Sequence, residues 1–161
     1  MSGAGGMARR RSPAELLHEA DIPPLWLALF ALASWAIGRL LPLPLLFGRA
    51  AGAVLIGAAL GLMALAALQM ALHHTTVIPR RQPAALVTGG VFALSRNPIY
   101  LADAIVLAGL DLWWGASLAL PLVPVFMAFI AHRFIRAEEA WIGAAFGADY
   151  KAYCARTRRW L

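Results

Sequence analysis

Two stretches of this sequence concentrate side chains able to bind or position a polar ligand, and both border long apolar runs. The first is Leu86-Val87-Thr88-Gly89-Gly90-Val91-Phe92, which continues through Ala93, Leu94 and Ser95 into Arg96-Asn97-Pro98-Ile99-Tyr100. A glycine pair lets backbone approach a ligand closely, and a guanidinium can grip a carboxylate or phosphate with two parallel hydrogen bonds. Pro98 suits the first turn of a helix, where a missing amide donor costs nothing. The competing reading makes Arg96 a lipid-headgroup anchor and Tyr100 part of an interfacial aromatic belt.

The second stretch is Arg136-Ala137-Glu138-Glu139-Ala140-Trp141, followed by Phe146-Gly147-Ala148-Asp149-Tyr150-Lys151-Ala152-Tyr153. Successive helical residues diverge by about 100°, so Glu138 and Glu139 cannot both face one ligand. One carboxylate can accept hydrogen bonds from ribose hydroxyls, as in dinucleotide sites, while the other pairs with an arginine. A solvated surface pair is the alternative. His73 and His74 are adjacent and His132 is distant, which is no usual ligand spacing, so no metal site is expected. Asp103 falls about a turn past Tyr100, where an ionisable group inside a membrane is a functional candidate or a partner for Arg96. Asp111, near Trp113 and Trp114, reads as wetted from the far side. Cys154 is the only cysteine, which rules out an internal disulfide and gives no sign of an oxidising compartment. It reads as inert.

The elements that must position these groups are apolar. Of 161 residues, 61% are hydrophobic and the mean hydropathy is +0.71, well beyond the roughly 45–50% apolar share of soluble domains. A transmembrane helix needs about 20 such residues to cross ~30 Å of hydrocarbon. Residues 25–41 and 50–72 meet that test. The next apolar region is punctuated by Asp103, Asp111 and Trp113-Trp114-Gly115, which splits it into 98–113 and 116–134. The expectation is an all-α, polytopic membrane helical bundle of about four transmembrane helices. Residues 1–23 form a polar cytoplasmic arm, with a short helix over 13–20 capped by Ser12, and 135–161 a cytoplasmic C-terminal helical extension. In that extension Phe146-Gly147 stops one helix before a last short one over 149–156.

Three details follow from residue types. Ala53, Gly57 and Gly61 recur every fourth residue, a ridge that would let a neighbouring helix approach. Pro79, Pro83, Thr88, Gly89 and Gly90 punctuate the 73–97 connection too densely for a long helix. Pro121 and Pro124 should bend the fourth span.

Four spans place both termini on one side. All 14 basic residues except Arg39 and Arg49 fall in the N-terminal arm, the middle loop or the C-terminal segment, counting Arg133 at the end of the fourth span with the last. The positive-inside bias makes those three cytoplasmic, as in an inner or plasma membrane. Arg9, Arg10 and Arg11 are separated from the first apolar run by Glu15, Glu19, Asp21, Pro23 and Pro24, unlike a cleaved signal peptide, so that run is expected to stay. The net charge of +6 suits anionic membrane lipids. Nucleic acid is not an expected partner, because no basic stripe interleaves with stacking aromatics.

Taken together, the two stretches resemble the isoprenylcysteine carboxyl methyltransferase family and, more loosely, the membrane phospholipid N-methyltransferases. The family pattern is Leu-Val-Thr-x-Gly-x-Tyr, then Arg-His-Pro-x-Tyr at the start of a span, then Glu-Glu, Phe-Gly and two tyrosines. Here it is matched in order by Leu86 to Phe92, Arg96 to Tyr100, Glu138-Glu139, Phe146-Gly147, Tyr150 and Tyr153, so the resemblance covers the second half of the chain. It implies a methyltransferase that binds S-adenosylmethionine at the cytoplasmic ends of its last two spans. The substrate it implies is a lipid-like or hydrophobic small molecule arriving from the bilayer. Carried over, the cofactor would touch Leu86, Val87, Asn97, Pro98, Ile99, Tyr100, Glu138 and its neighbour Glu139. Arg96, Asn97 and Tyr100 would position the reacting groups, with no dedicated acid or base. A phospholipid N-methyltransferase and a non-catalytic bundle are the alternatives. Five positions depart from the pattern: Asn97 replaces the histidine, Phe92 the tyrosine, Ala84-Ala85 a His-Thr pair, and Phe134 an arginine present in eukaryotic members. These departures argue against a prenylcysteine carboxylate as substrate.

Overall fold

Paired prolines open the first helix at positions where their missing amide donors would have no partner anyway, and α1 runs Pro23–Leu40. The computed structural model describes residues 21–73 and 85–161. The Arg9–Arg11 triplet, the 13–20 helix, and Pro79, Arg80, Arg81 and Pro83 of the middle connection lie outside the described residues. After α1 come α2 (Gly48–Leu72), a single turn α3 (Val91–Leu94), and α4 (Pro98–Trp113). A 3₁₀ turn over Ser117–Ala119 leads into α5 (Leu122–Ile130), a π-helical turn over Ala131–Ile135, and α6 (Arg136–Arg156).

The long helices alternate in direction, with α4 touching α1, α2 and α5. At one end the α1–α2 and α4–α5 connections meet, where Leu43 N–H donates to Gly115 O at 2.9 Å. At the other, Asp21 pairs with Arg133 and accepts from Trp26 Nε1 at 2.9 Å, tying the start of α1 to the π turn. Leu107, Phe126, Ile130 and Ile135 are fully buried between these ends, and Phe30 stands edge-on to Phe126 at 5.3 Å.

Among the described residues three helical stretches are long and apolar enough to cross a bilayer: Pro23–Leu40, Gly48–Leu72 and the run Ser117–Arg156. Their outer faces carry exposed Leu29, Leu32, Val54, Leu60, Leu65 and Leu68. An apolar surface of that extent is costly in water and natural against lipid. At 16 residues α4 is shorter, about 24 Å long, and it is the helix most enclosed by its neighbours.

The structure corrects several sequence expectations. The Ala53-Gly57-Gly61 ridge is not a packing face: a Cβ at Gly57 or Gly61 would meet nothing within 4 Å. The buried face of α2 is Gly48, Gly52, Ala59 and Ala66. There a Cβ at Gly52 would stand 2.5 Å from Gly109 O, and one at Gly109 would stand 2.8 Å from Ile56 Cγ1. Two glycines from different helices, not a periodic stripe within one, make this close crossing. Pro121 and Pro124 stand at the start of α5 and not in its interior: Pro121 is its N-cap and Pro124 lies in its first turn, where amides lack intrahelical acceptors. Asp111 is not wetted: it is 0% exposed, with the Ser34 hydroxyl as its polar neighbour. Asp103 is likewise buried within α4, and the carboxylate that pairs with Arg96 is Glu139.

Candidate active site

The chemistry-bearing side chains converge at the end of the bundle where α2 finishes and α4 begins. Gly90 adopts φ 55°, ψ −127°, a conformation open to glycine. A Cβ there would overlap the Gln69 amide at 1.6 Å from Nε2. With no side chain in the way, Gln69 Oε1 reaches the Val91 amide at 3.1 Å and pins the 89–94 turn onto the last turn of α2. Val87 and Phe92 bury themselves against Ala66, with Met70 and Ile99 alongside. The chain then extends through Ser95, whose Oγ accepts from Asn97 N–H at 3.2 Å, and Pro98 starts α4.

The opposite wall comes from α6. The π turn inserts a residue into the helical repeat just before it, rotating everything after by about 100°, and such single-turn bulges recur at functional sites. Glu138 then accepts from Tyr100 Oη–H at 2.7 Å. Glu139 takes both arms of Arg159, Nε at 3.0 Å and Nη2 at 2.6 Å, and lies 3.3 Å from Arg96 Nη1. At Gly147 the backbone leaves the helix, φ 50°, ψ −114°, and the chain turns back so that Tyr150 packs over Gly143. Tyr153 Oη–H donates to Phe92 O at 2.5 Å, linking α6 to the α3 turn.

These walls enclose an open cleft of ≈ 530 Å³, counting the solvent at its mouth. Met70, Leu86, Val87, Phe92 and Ile142 make it apolar, while Arg96, Asn97, Glu138, Glu139 and the two tyrosines place polar groups around it. Arg96 is the most constrained cation: Nη1 contacts Cys154 Sγ at 2.7 Å and Tyr150 Oη at 3.4 Å, while its buried Nε has no partner. Its guanidinium edge is thus held in place with donor capacity left. Hydrogen bonding to Glu139 pushes Arg159 further above its already high value, so it stays charged.

Of the residues singled out in the sequence, Leu86, Val87, Arg96, Asn97, Glu138 and Glu139 line the cleft. Tyr100 reaches it through Glu138. Pro98 is fully buried and Ile99 packs on Val87 and Phe92, so both stand behind the wall. Glu138 and Glu139 do border the same cleft, although their bonding partners differ, one a tyrosine and the other two arginines. Sequence reasoning missed Met70 and Ile142, which carry no chemical signal, and Arg159, which was counted only as positive charge. Cys154, read as inert, is in contact with Arg96.

Comparison with known proteins adds two findings. A family model described as phospholipid methyltransferase matches residues 47–149, well over half of the chain. An uncharacterized protein of Haemophilus influenzae is 36% identical over 63 residues, which is 39% of this chain and 100% of that protein. No solved structure matches.

Proposed function

The chain belongs to the phospholipid methyltransferase family, and from that premise we propose that it is a membrane-embedded, S-adenosylmethionine-dependent methyltransferase acting on a lipid-like acceptor. Membership implies methyltransferase activity, and with the three apolar helices it makes the chain an integral membrane protein. The observation that carries the finer reading is the meeting of Arg96 with Glu138 and Glu139 at one apolar cleft, although 42 positions separate Arg96 from Glu138 in sequence. The residues fit the cofactor: the orphaned Nε of Arg96 is a donor suited to a carboxylate. Glu138 is a carboxylate suited to ribose hydroxyls, and Leu86, Val87 and Ile142 offer flat apolar surface to a base.

When bound, the sulfonium cofactor supplies an electrophilic methyl carbon. Such a transfer is an in-line displacement that depends on proximity and orientation, so the protein's part is placement. Arg96, braced by Glu139, Tyr150 and Cys154, holds an anionic group in a fixed direction. Tyr100 fixes Glu138, and the apolar walls offer a surface for the uncharged parts of the ligands. No side chain need serve as acid or base for a carboxylate or thiolate acceptor, whereas an amine must arrive deprotonated.

In the same reading α4 is a short fourth span, both termini and the 135–161 segment are cytoplasmic, and the membrane is the inner or plasma membrane. The arginine distribution and the shared end of the bundle support this. The isoprenylcysteine carboxyl methyltransferase pattern in the sequence suggests a lipid-like carboxylate or thiol as acceptor. The family model's description, with Asn97 and Phe134 in place of charged residues, favours a second reading in which the acceptor is a phospholipid amine.

The test is a calorimetric titration of the detergent-purified protein with S-adenosylmethionine and its demethylated product. A labelled-methyl assay on phosphatidylethanolamine and on a prenylcysteine then separates the two acceptors. Glu138→Ala should abolish cofactor binding while the fold survives. No binding by the wild-type chain would sink the enzymatic reading and leave a non-catalytic bundle, and unchanged affinity in the variant would remove Glu138 from the site.

A further inference from the structure

We propose that Arg159 is a positioning residue of the methyl-transfer site, and that the last residues of the chain act as a strap fixing Glu139 and, through it, Arg96. The proposal deepens the reading above and rests on it. Past Tyr153 the chain leaves α6 at Thr157 in an extended conformation and crosses beneath the Ser95–Asn97 turn. Three bonds hold it there: Arg96 N–H donates to Arg158 O at 3.0 Å, Ser95 Oγ–H to Arg159 O at 3.2 Å, and Asn97 Nδ2 to Arg159 O at 3.1 Å. Trp160 packs against the core cluster that includes Tyr100, Phe134 and Ile135. Arg159 is therefore seated by its own main chain on the residues that carry Arg96. From that seat its side chain closes both bonds on Glu139.

The consequence is for position more than for stability. The Arg159 side chain is 35% exposed and that of Glu139 is 16% exposed, and ion pairs open to solvent add only ~0–1 kcal/mol. Glu139, however, is shared between two guanidiniums. Without Arg159 its whole charge would fall on Arg96, 3.3 Å away. That would draw Arg96 off Cys154 and Tyr150 and change the direction its guanidinium takes at the cleft wall. Asn97, at the position of the family histidine, gives its amide hydrogens to this seat, so it serves the strap as well as the cleft wall.

The experiment uses the full chain in detergent micelles with Arg159→Gln, Arg159→Lys and, as an equal change of charge outside the strap's side-chain contacts, Arg158→Gln. Arg159→Gln should weaken S-adenosylmethionine binding between about 10- and 100-fold while its melting temperature stays within about 4 °C of wild type. Arg159→Lys should fall between, because an ammonium keeps the charge and loses the fork. Arg158→Gln should bind as wild type. Equal affinities of Arg159→Gln and Arg158→Gln would overturn the proposal. If Arg159→Gln folds poorly, Arg159→Lys, which keeps the charge and loses the fork, carries the test: weaker binding than Arg158→Gln supports the proposal, and equal binding overturns it. Failure of the wild-type chain to bind would strike the methyltransferase reading instead. The strap is then read by hydrogen exchange of the 157–161 amides, faster in Arg159→Gln than in Arg158→Gln if the tie exists and equal if it does not.

Discussion

Adding a single methyl group at position 52 should open the bundle, and the same change at position 57 should not. A Cβ at Gly52 would stand 2.5 Å from Gly109 O, 2.8 Å from Trp113 N and 3.2 Å from Trp113 Cα. Carbon atoms in contact prefer about 3.5–4.0 Å, and the obstructing atoms are backbone, which cannot rotate away as a side chain would. Helices α2 and α4 must therefore part by about 1 Å along their longest shared contact, and overpacking of this kind typically costs ~1–3 kcal/mol. Alanine's better helix propensity offsets at most ~1 kcal/mol of that. At Gly57, with nothing within 4 Å, only the propensity gain remains. Gly52→Ala should then be less stable than Gly57→Ala by ~2 kcal/mol, or roughly 4–8 °C in melting temperature for a chain of this size. Unfolding followed by circular dichroism in one detergent measures the difference. Equal stability of the two variants would refute the glycine-to-glycine crossing as the contact that sets the α2–α4 distance.

Other changes probe the cleft and the core. Gly90→Ala forces a side chain into a glycine conformation and onto the Gln69 amide. It should cost ~1–3 kcal/mol locally and abolish cofactor binding in a titration, while circular dichroism retains the helices. Tyr100→Phe removes the donor 2.7 Å from Glu138. A hydrogen bond to a charged group contributes ~1.5–3 kcal/mol, so cofactor affinity should fall about tenfold or more, and an unchanged dissociation constant would show that Glu138 is held by other means. Asp111→Asn replaces a fully buried carboxylate whose polar neighbour is the uncharged Ser34 hydroxyl. Since an uncompensated buried charge is destabilising, melting should hold or rise, and a loss of several degrees would mean that the carboxylate has a role the fold does not reveal.

The parts of the molecule legible from sequence were those written in local rules. Pro98 and the Trp113-Trp114-Gly115 turn bound α4 on both sides, and helix Pro98–Trp113 begins and ends there. Gly147 interrupts the C-terminal helix because its backbone conformation is one a side chain disfavours. What escaped were relations between distant positions. A period of four marks where small residues lie on α2, but which row faces a neighbour depended on Gly109, over fifty residues away. Proline chemistry was right and its placement wrong, since Pro121 and Pro124 stand in a first turn where the amides they lack had no acceptor. Arg159 looked like one more cytoplasmic charge, because its seat is made of bonds between its own main chain and the Ser95–Asn97 turn.

The two ends of the bundle are held by different physics, and that difference bears on where catalysis can sit. At the far end, backbone approaches backbone through Gly52 and Gly109, a contact without moving parts that lipid cannot weaken. At the cleft end, the elements are joined by polar ties between segments remote in sequence: Gln69 to Val91, Tyr153 to Phe92, Tyr100 to Glu138, and Arg159 to Glu139. The last three ties each engage a residue bordering the cleft and fix its direction, as methyl transfer by orientation requires, while the first pins the turn behind it. The ties from Arg158 and Arg159 come from beyond residue 149, where the family match ends. Relatives without an arginine at the position of Arg159 should therefore share the cleft walls while holding Arg96 and Glu139 differently, and their cofactor affinities should diverge before their folds do.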